Sequence, residues 1–232
     1  MKTIGLLGGM SWPSTLDYYR ILNQLAQDNL GGHHSASLVL RSIDYHEIKS
    51  AYYGGWDRVP ALLAQELRAF AALGAGCLVL CNNTLHEALD EVWPGLGIEL
   101  PVIHIVRETG AEAARRGLRR VLLLGTLHTM EHHYYRGGLE SFGLEVHTPD
   151  AAERDRIQSM QNELARGRVD PDDRARFCAM LARYRHLDAA VLACTELPLL
   201  FAHDAPAEAG SLPLLNPTRI QCEAAFRFAI AD

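Results

Sequence analysis

Lysine is nearly missing from this chain: of its 22 basic residues only Lys2 and Lys49 are lysines. A pyridoxal cofactor needs a Schiff-base lysine, and neither of these stands in a recognisable context, so cofactor-free chemistry is expected. The dinucleotide pattern Gly-x-Gly-x-x-Gly is absent from the first strand-to-helix turn, which reads Gly8-Gly9-Met10-Ser11. No apolar run reaches the roughly 18 residues that a membrane span requires, and Met1-Lys2-Thr3 runs straight into a strand instead of a signal sequence. Five cysteines, an odd number without regular spacing, point to free thiols in a reducing compartment and hence to the cytoplasm. A net charge of -6 with dispersed signs offers no basic stripe, so neither nucleic acid nor membrane is an expected partner.

An apolar share of 48% with 22% charge is ordinary for a globular protein, and its arrangement is informative. The apolar run Cys77-Leu78-Val79-Leu80 stops at Cys81-Asn82-Asn83-Thr84-Leu85-His86, and Ala189-Ala190-Val191-Leu192-Ala193 stops at Cys194-Thr195-Glu196-Leu197-Pro198. Each is preceded by a similar opening strand, Thr3 to Gly9 and Val121 to Thr126, so one fold unit is read as used twice. Strands alternating with helices imply parallel sheets covered on both faces, with ligands at the carboxyl ends of strands. The expected fold class is therefore α/β: two pseudo-symmetric three-layer α/β/α subdomains with mainly parallel sheets and the active site in the cleft between them. Residues 1–100 with 213–232 are assigned to the first half and 101–212 to the second.

Locally, Pro13 to Asn29 reads as a helix with Leu16, Tyr19, Ile21, Leu22 and Leu25 on one side. Its amino end attracts a carboxylate, although Gly8-Gly9 reads equally well as a plain strand-to-helix turn. Residues 101–106 look strand-like, Thr129 is a candidate cap for a helix from Met130 to Phe142, and the residues after Leu212 are expected to return to the first half. Tyr52-Tyr53-Gly54-Gly55-Trp56 reads as a loop. Trp12, Trp56, Tyr134 and Tyr135 read as packing residues, and His128, His132 and His133 as a polar cluster, with no metal expected.

Cys-x-Asn-Thr-x-His, Ala-Cys-Thr-Glu, the opening Gly8 to Thr15 and the stretch from Gly125-Thr126 to Tyr135-Arg136 together resemble the aspartate/glutamate racemase family, in particular its broad-specificity amino-acid racemase branch. The resemblance covers nearly the whole chain with its motifs in the family's order. It implies an isomerase without cofactor acting on a small amino acid or related carboxylate, and a homodimer. It also implies catalytic roles for Cys194 and for Cys81 or Asn82, with Met10, Ser11, Tyr52, Asn83, Thr84, Leu85, Thr126, Thr195 and Glu196 binding substrate.

Two thiols suit removal and return of an α-proton: one accepts it as thiolate and the other donates from the opposite face. His86, one helical turn from the first site, is a candidate for lowering a thiol pKa there. Read from composition and spacing alone, both cysteines remain compatible with inert core thiols. The chain also departs from the family, since many members have cysteine directly before Asn-Thr whereas this one reads Cys81-Asn82-Asn83-Thr84. Anchored on Asn83-Thr84, the first catalytic position falls on Asn82, which cannot act as a general base, and Cys81 turns to the other face of the strand. Where the family places basic anchors for a distal carboxylate stand Tyr52 and Ala165, with Arg166 one place on, so acidic amino acids are not the expected preference. The alternatives are a single-cysteine decarboxylase or cis-trans isomerase acting on a dicarboxylic acid, and an amino-acid-binding protein without turnover.

Overall fold

The computed structural model describes residues 1–52, 54–201 and 206–231. They divide into two compact units, Met1–His104 with Gln221–Asp232, and Ile105–Ile220. The sequence pattern alone puts these divisions at 100/101 and 212/213.

The first unit holds β1 (Ile4–Gly8), α1 (Trp12–Leu30), β2 (Leu38–Ser42), α2 (His46–Ala51), α3 (Val59–Ala71), β3 (Cys77–Leu80) and α4 (His86–Val92). Its sheet is parallel in the order β2-β1-β3, and an isolated parallel bridge between Leu78 and Val102 extends it past β3. The run at 101–106 is thus a single bridge, because α5 (Ile105–Arg115) begins at once. Alternation sorts β3 by face. Cys77, Val79 and Cys81 join Ile4, Leu6 and Tyr18, while Leu78 and Leu80 join Leu7, Leu63, Leu67 and Leu89. In α1 the buried side carries Tyr18, Ile21, Leu22 and Ala26, whereas Leu16 and Tyr19 are 56% and 53% exposed, a correction to the expected face. Trp12, 60% exposed, is likewise not a packing residue.

The second unit holds α5, β4 (Arg120–Gly125), α6 (Leu127–Glu131), α7 (His133–Glu140), β5 (Glu145–His147), α8 (Ala151–Leu164), α9 (Asp173–Ala182), β6 (Ala189–Ala193), β7 (Glu208–Ala209) and β8 (Leu212–Leu215). The strand order is β5-β4-β6-β8-β7, parallel except for the short β7–β8 pair. Because β8 pairs with β6, residues 213–220 belong here, and the chain re-enters the first unit only within α10 (Pro217–Ile230). The single helix expected from Met130 is instead two, α6 and α7. Thr126, not Thr129, is the first cap: its hydroxyl accepts from the Thr129 amide at 3.1 Å. No helix among the described residues is long and apolar enough to cross a membrane.

The two sheets repeat one plan, an opening strand flanked by a second strand and by the cysteine strand, with a fourth strand or bridge beyond it. The helix that follows each fourth position counts with the other unit: α5 packs on Val121, Leu123 and Val191, and residues 222–229 of α10 pack on Ile4, Cys77 and Val79.

Candidate active site

In the first unit the carboxyl end of β1 delivers Gly8 and Gly9 to the start of α1. Gly9 has φ +90°, and a Cβ there would stand 2.3 Å from the Ile43 carbonyl oxygen, so only glycine lets the chain pass. The Gly9 amide donates to Thr15 Oγ1 at 3.0 Å, and Thr15 in turn donates to the Ser11 carbonyl at 2.9 Å. Ser11 is buried and takes the N-cap position of α1 without capping it; its hydroxyl has no hydrogen-bond partner among the described residues. A buried, unpaired hydroxyl is costly unless something occupies it. Met10 is buried within the cluster that contains Leu7, Ile43 and Leu85.

At the end of β3 the two disputed residues take different environments. Cys81 is fully buried in the apolar cluster of α1 and α10, its thiol 3.7 Å from the Val79 carbonyl, and burial pushes its pKa far up, so it stays protonated. Asn82 is half-buried; its Oδ1 accepts from the Leu85 amide at 2.9 Å. Asn83, Thr84 and Leu85 are buried in the turn that follows. Contrary to its candidacy for lowering the Cys81 thiol, which only burial shifts, His86 has its Nδ1 2.7 Å from the Asn82 carbonyl oxygen. Tyr52 accepts a hydrogen bond from the Tyr45 hydroxyl at 2.6 Å, stands 5.2 Å from the Trp56 ring, and has the Lys49 ammonium 5.0 Å from its ring centroid. Tyr53 of the same loop lies outside the described residues.

In the second unit β6 delivers Cys194 to the cluster of Leu124, Met130 and Leu192. Its thiol donates to Glu196 Oε2 at 2.8 Å, and Thr195 and Glu196 are themselves buried. Thr126 caps α6, and the Leu127 amide donates to Gln158 Oε1 at 2.8 Å. Gln158 Nε2 is held by Gln161 at 2.9 Å and Asn162 at 3.0 Å. Gln158 and His104 have no local motif to mark them in the sequence; proximity in the fold is their only signal. Ala165 ends α8, and Arg166 is exposed and paired with Glu163 at 3.0 Å. The His128 and His132 rings lie 3.8 Å apart, centroid to centroid.

Registers decide which residues correspond. In the second sheet Gly125 pairs with Ala193, leaving Cys194 one step beyond. In the first, Leu7 pairs with Leu80, which sets Gly8 beside Cys81 and leaves Asn82 one step beyond. Gly8 and Gly125 correspond independently of this, since a Cβ on either would meet a threonine of the following helix, Thr15 Cγ2 at 2.5 Å and Thr129 Cγ2 at 2.9 Å. Asn82 therefore stands at the place of Cys194, and Cys81 at that of Ala193. The clusters agree: Ala193 lies on the face of α5 and α7, Cys81 on that of α1 and α10.

The family model for Asp/Glu/hydantoin racemases matches residues 7–225. Among solved structures, a putative Asp/Glu racemase from Yersinia pestis is 34% identical with a TM-score of 0.83, each chain covered over 100%. An aspartate racemase homologue from Pyrococcus horikoshii OT3 is 27% identical with a TM-score of 0.81, again over 100% of both chains. Glutamate racemase from Francisella tularensis, solved with D-glutamate, shares the fold at 14% identity and a TM-score of 0.69, over 98% of this chain and 80% of that one.

Proposed function

Because the chain belongs to the Asp/Glu/hydantoin racemase family, we propose that it is a cofactor-independent amino-acid racemase in which Cys194 moves the α-proton. The observation that carries this reading is the Cys194 thiol at the carboxyl end of β6, hydrogen-bonded at 2.8 Å to a buried carboxylate. Glu196 gives the proton on sulfur a defined position, and removal of the α-proton by the thiolate leaves its electron pair on the substrate's Cα and carboxylate. Donors must be arranged for that developing charge. The Ser11 hydroxyl, without a hydrogen-bond partner among the described residues, and the polar side chains of Asn83 and Thr84 are assigned to the substrate carboxylate. Asn82 cannot take up a proton, so the returned proton is assigned to a water held at Asn82, with Cys81 reduced to a packing residue. Tyr52 and Ala165 leave the substrate side chain without the basic anchors expected for a second carboxylate, which favours neutral amino acids.

The asymmetry between Asn82 and Cys194 also favours a second reading, a single-cysteine decarboxylase or cis-trans isomerase on a dicarboxylic acid. Incubating each common amino acid with the protein in heavy water separates the two. A racemase incorporates deuterium at Cα with inversion, and no exchange with any amino acid sinks the racemase reading.

A further inference from the structure

Behind the Asn82 turn lie three groups to which the reaction assigns no part: His86, His104 and Asp90. His86 is fully buried, and its Nδ1 stands 2.7 Å from the Asn82 carbonyl oxygen. A carbonyl only accepts, so Nδ1 must carry the hydrogen, the tautomer opposite to the one that free histidine favours in water. The ring of His104, also buried, meets that of His86 edge-on at 4.5 Å and 73°, and its Nε2 lies 3.3 Å from Asp90 Oδ1. Asp90 sits four residues after His86 on α4 and thus on the same helix face. The backbone around His104 is itself fixed: the Ile103 amide donates to the Leu78 carbonyl at 2.9 Å, and Gln221 Nε2 donates to the Ile103 carbonyl at 2.6 Å. The chain thus runs from the edge of β3 through His104 to His86 and ends on one peptide oxygen.

Burying two imidazoles where leucine would pack costs free energy unless their polar atoms are used. The atom used here belongs to the residue that occupies the place of Cys194. We infer that His86 is a positioning residue, with His104 and Asp90 holding its ring. It pins the Asn82 carbonyl, while the Asn82 side chain pins the Leu85 amide at 2.9 Å. Secured at both ends, the turn holds Asn82 and its neighbours in one geometry, and a displacement near 1 Å in such a group costs about 100-fold in rate.

The tautomer is tested without reference to any reaction. Full-length protein labelled with ¹⁵N-histidine, its His86 signals assigned by their loss in His86→Asn, should show a protonated Nδ1 near neutral pH. A bare Nδ1 overturns the inference. The positional role rests on the racemase reading and is tested by Cα deuterium exchange in two variants. His86→Leu removes the donor and should lower kcat about 100-fold while KM moves far less, and His86→Asn, whose amide nitrogen falls near the lost Nδ1, should recover most of that rate. Undiminished kcat in a folded His86→Leu protein, or equal losses in both variants, overturns the role. Absence of exchange in the unmodified protein instead counts against the racemase reading, and the nitrogen spectrum then decides the inference by itself.

Discussion

Cys81 and Cys194 end matching strands of matching sheets, yet their surroundings differ in kind. One is sealed among Ile4, Leu6 and Tyr18 with a main-chain carbonyl at 3.7 Å, and the other donates to a buried carboxylate at 2.8 Å. The difference comes from one step of register, because successive strand residues face opposite ways. A repeated fold therefore does not repeat its chemistry when the residue types slip by one position. It repeats the place, and here the place holds Cys194 in one unit and Asn82 in the other.

The comparison is sharpened most by Cys194→Ala, which should cut Cα deuterium exchange at least about 100-fold in a folded protein, the range expected on losing a general acid/base. Near-normal exchange would mean that Cys194 is only a core thiol. The next largest effect should be on substrate choice. A second carboxylate left desolvated and unpaired costs on the order of 1 to 3 kcal/mol, so neutral amino acids should exceed aspartate and glutamate in kcat/KM by about 5- to 150-fold. The Lys49 ammonium over Tyr52 sets the counter-test, since an aspartate preference that vanishes in Lys49→Met would show that this cation serves the site.

Asn82→Cys makes the two units alike and should raise exchange by about tenfold, the lower end of what a positioned acid/base contributes. No gain, in a protein whose new thiol is titratable, would separate the two places again. The smallest effect on rate belongs to Cys81→Ser, with exchange within about twofold of the original and a stability loss of about 1 to 3 kcal/mol for a buried hydroxyl, measured by urea unfolding. Burial also raises the Cys77 thiol to about 11. A thiol pKa that is higher folded than unfolded leaves stability intact below about 8.5 and erodes it as pH climbs from there toward the folded value. Cys77→Val should flatten that alkaline decline in urea-unfolding stability.

Much of this was legible in the sequence. The cysteine-ended runs, the repeated opening strands and the parallel α/β plan follow from apolar runs bounded by glycine and small polar residues. Strand alternation puts Cys81 and Asn82 on opposite faces, but which of them aligns with Cys194 depends on the pairing of Leu7 with Leu80, a long-range fact that no local pattern carries. The buried face of α1 was misjudged because Leu16 and Tyr19 are apolar yet exposed, and apolar residues at the surface are common. The split of the expected helix after Met130 arises at His132, whose extended backbone (φ -83°, ψ 151°) ends α6 and caps α7; nothing in its side chain announces this.

The helix that closes the first unit lies at the far end of the chain. As the protein is synthesised, Ile4, Cys77 and Val79 emerge long before Cys222, Ala225, Phe226 and Ala229, which pack against them. Until then a nascent chain carries an apolar sheet face covered only by α1, the kind of surface that draws chaperones and invites aggregation. Ribosome-stalled or prematurely terminated products ending before residue 221 should accordingly be insoluble or chaperone-bound, even though every residue of the Ser11 and Asn82 turns has already been made.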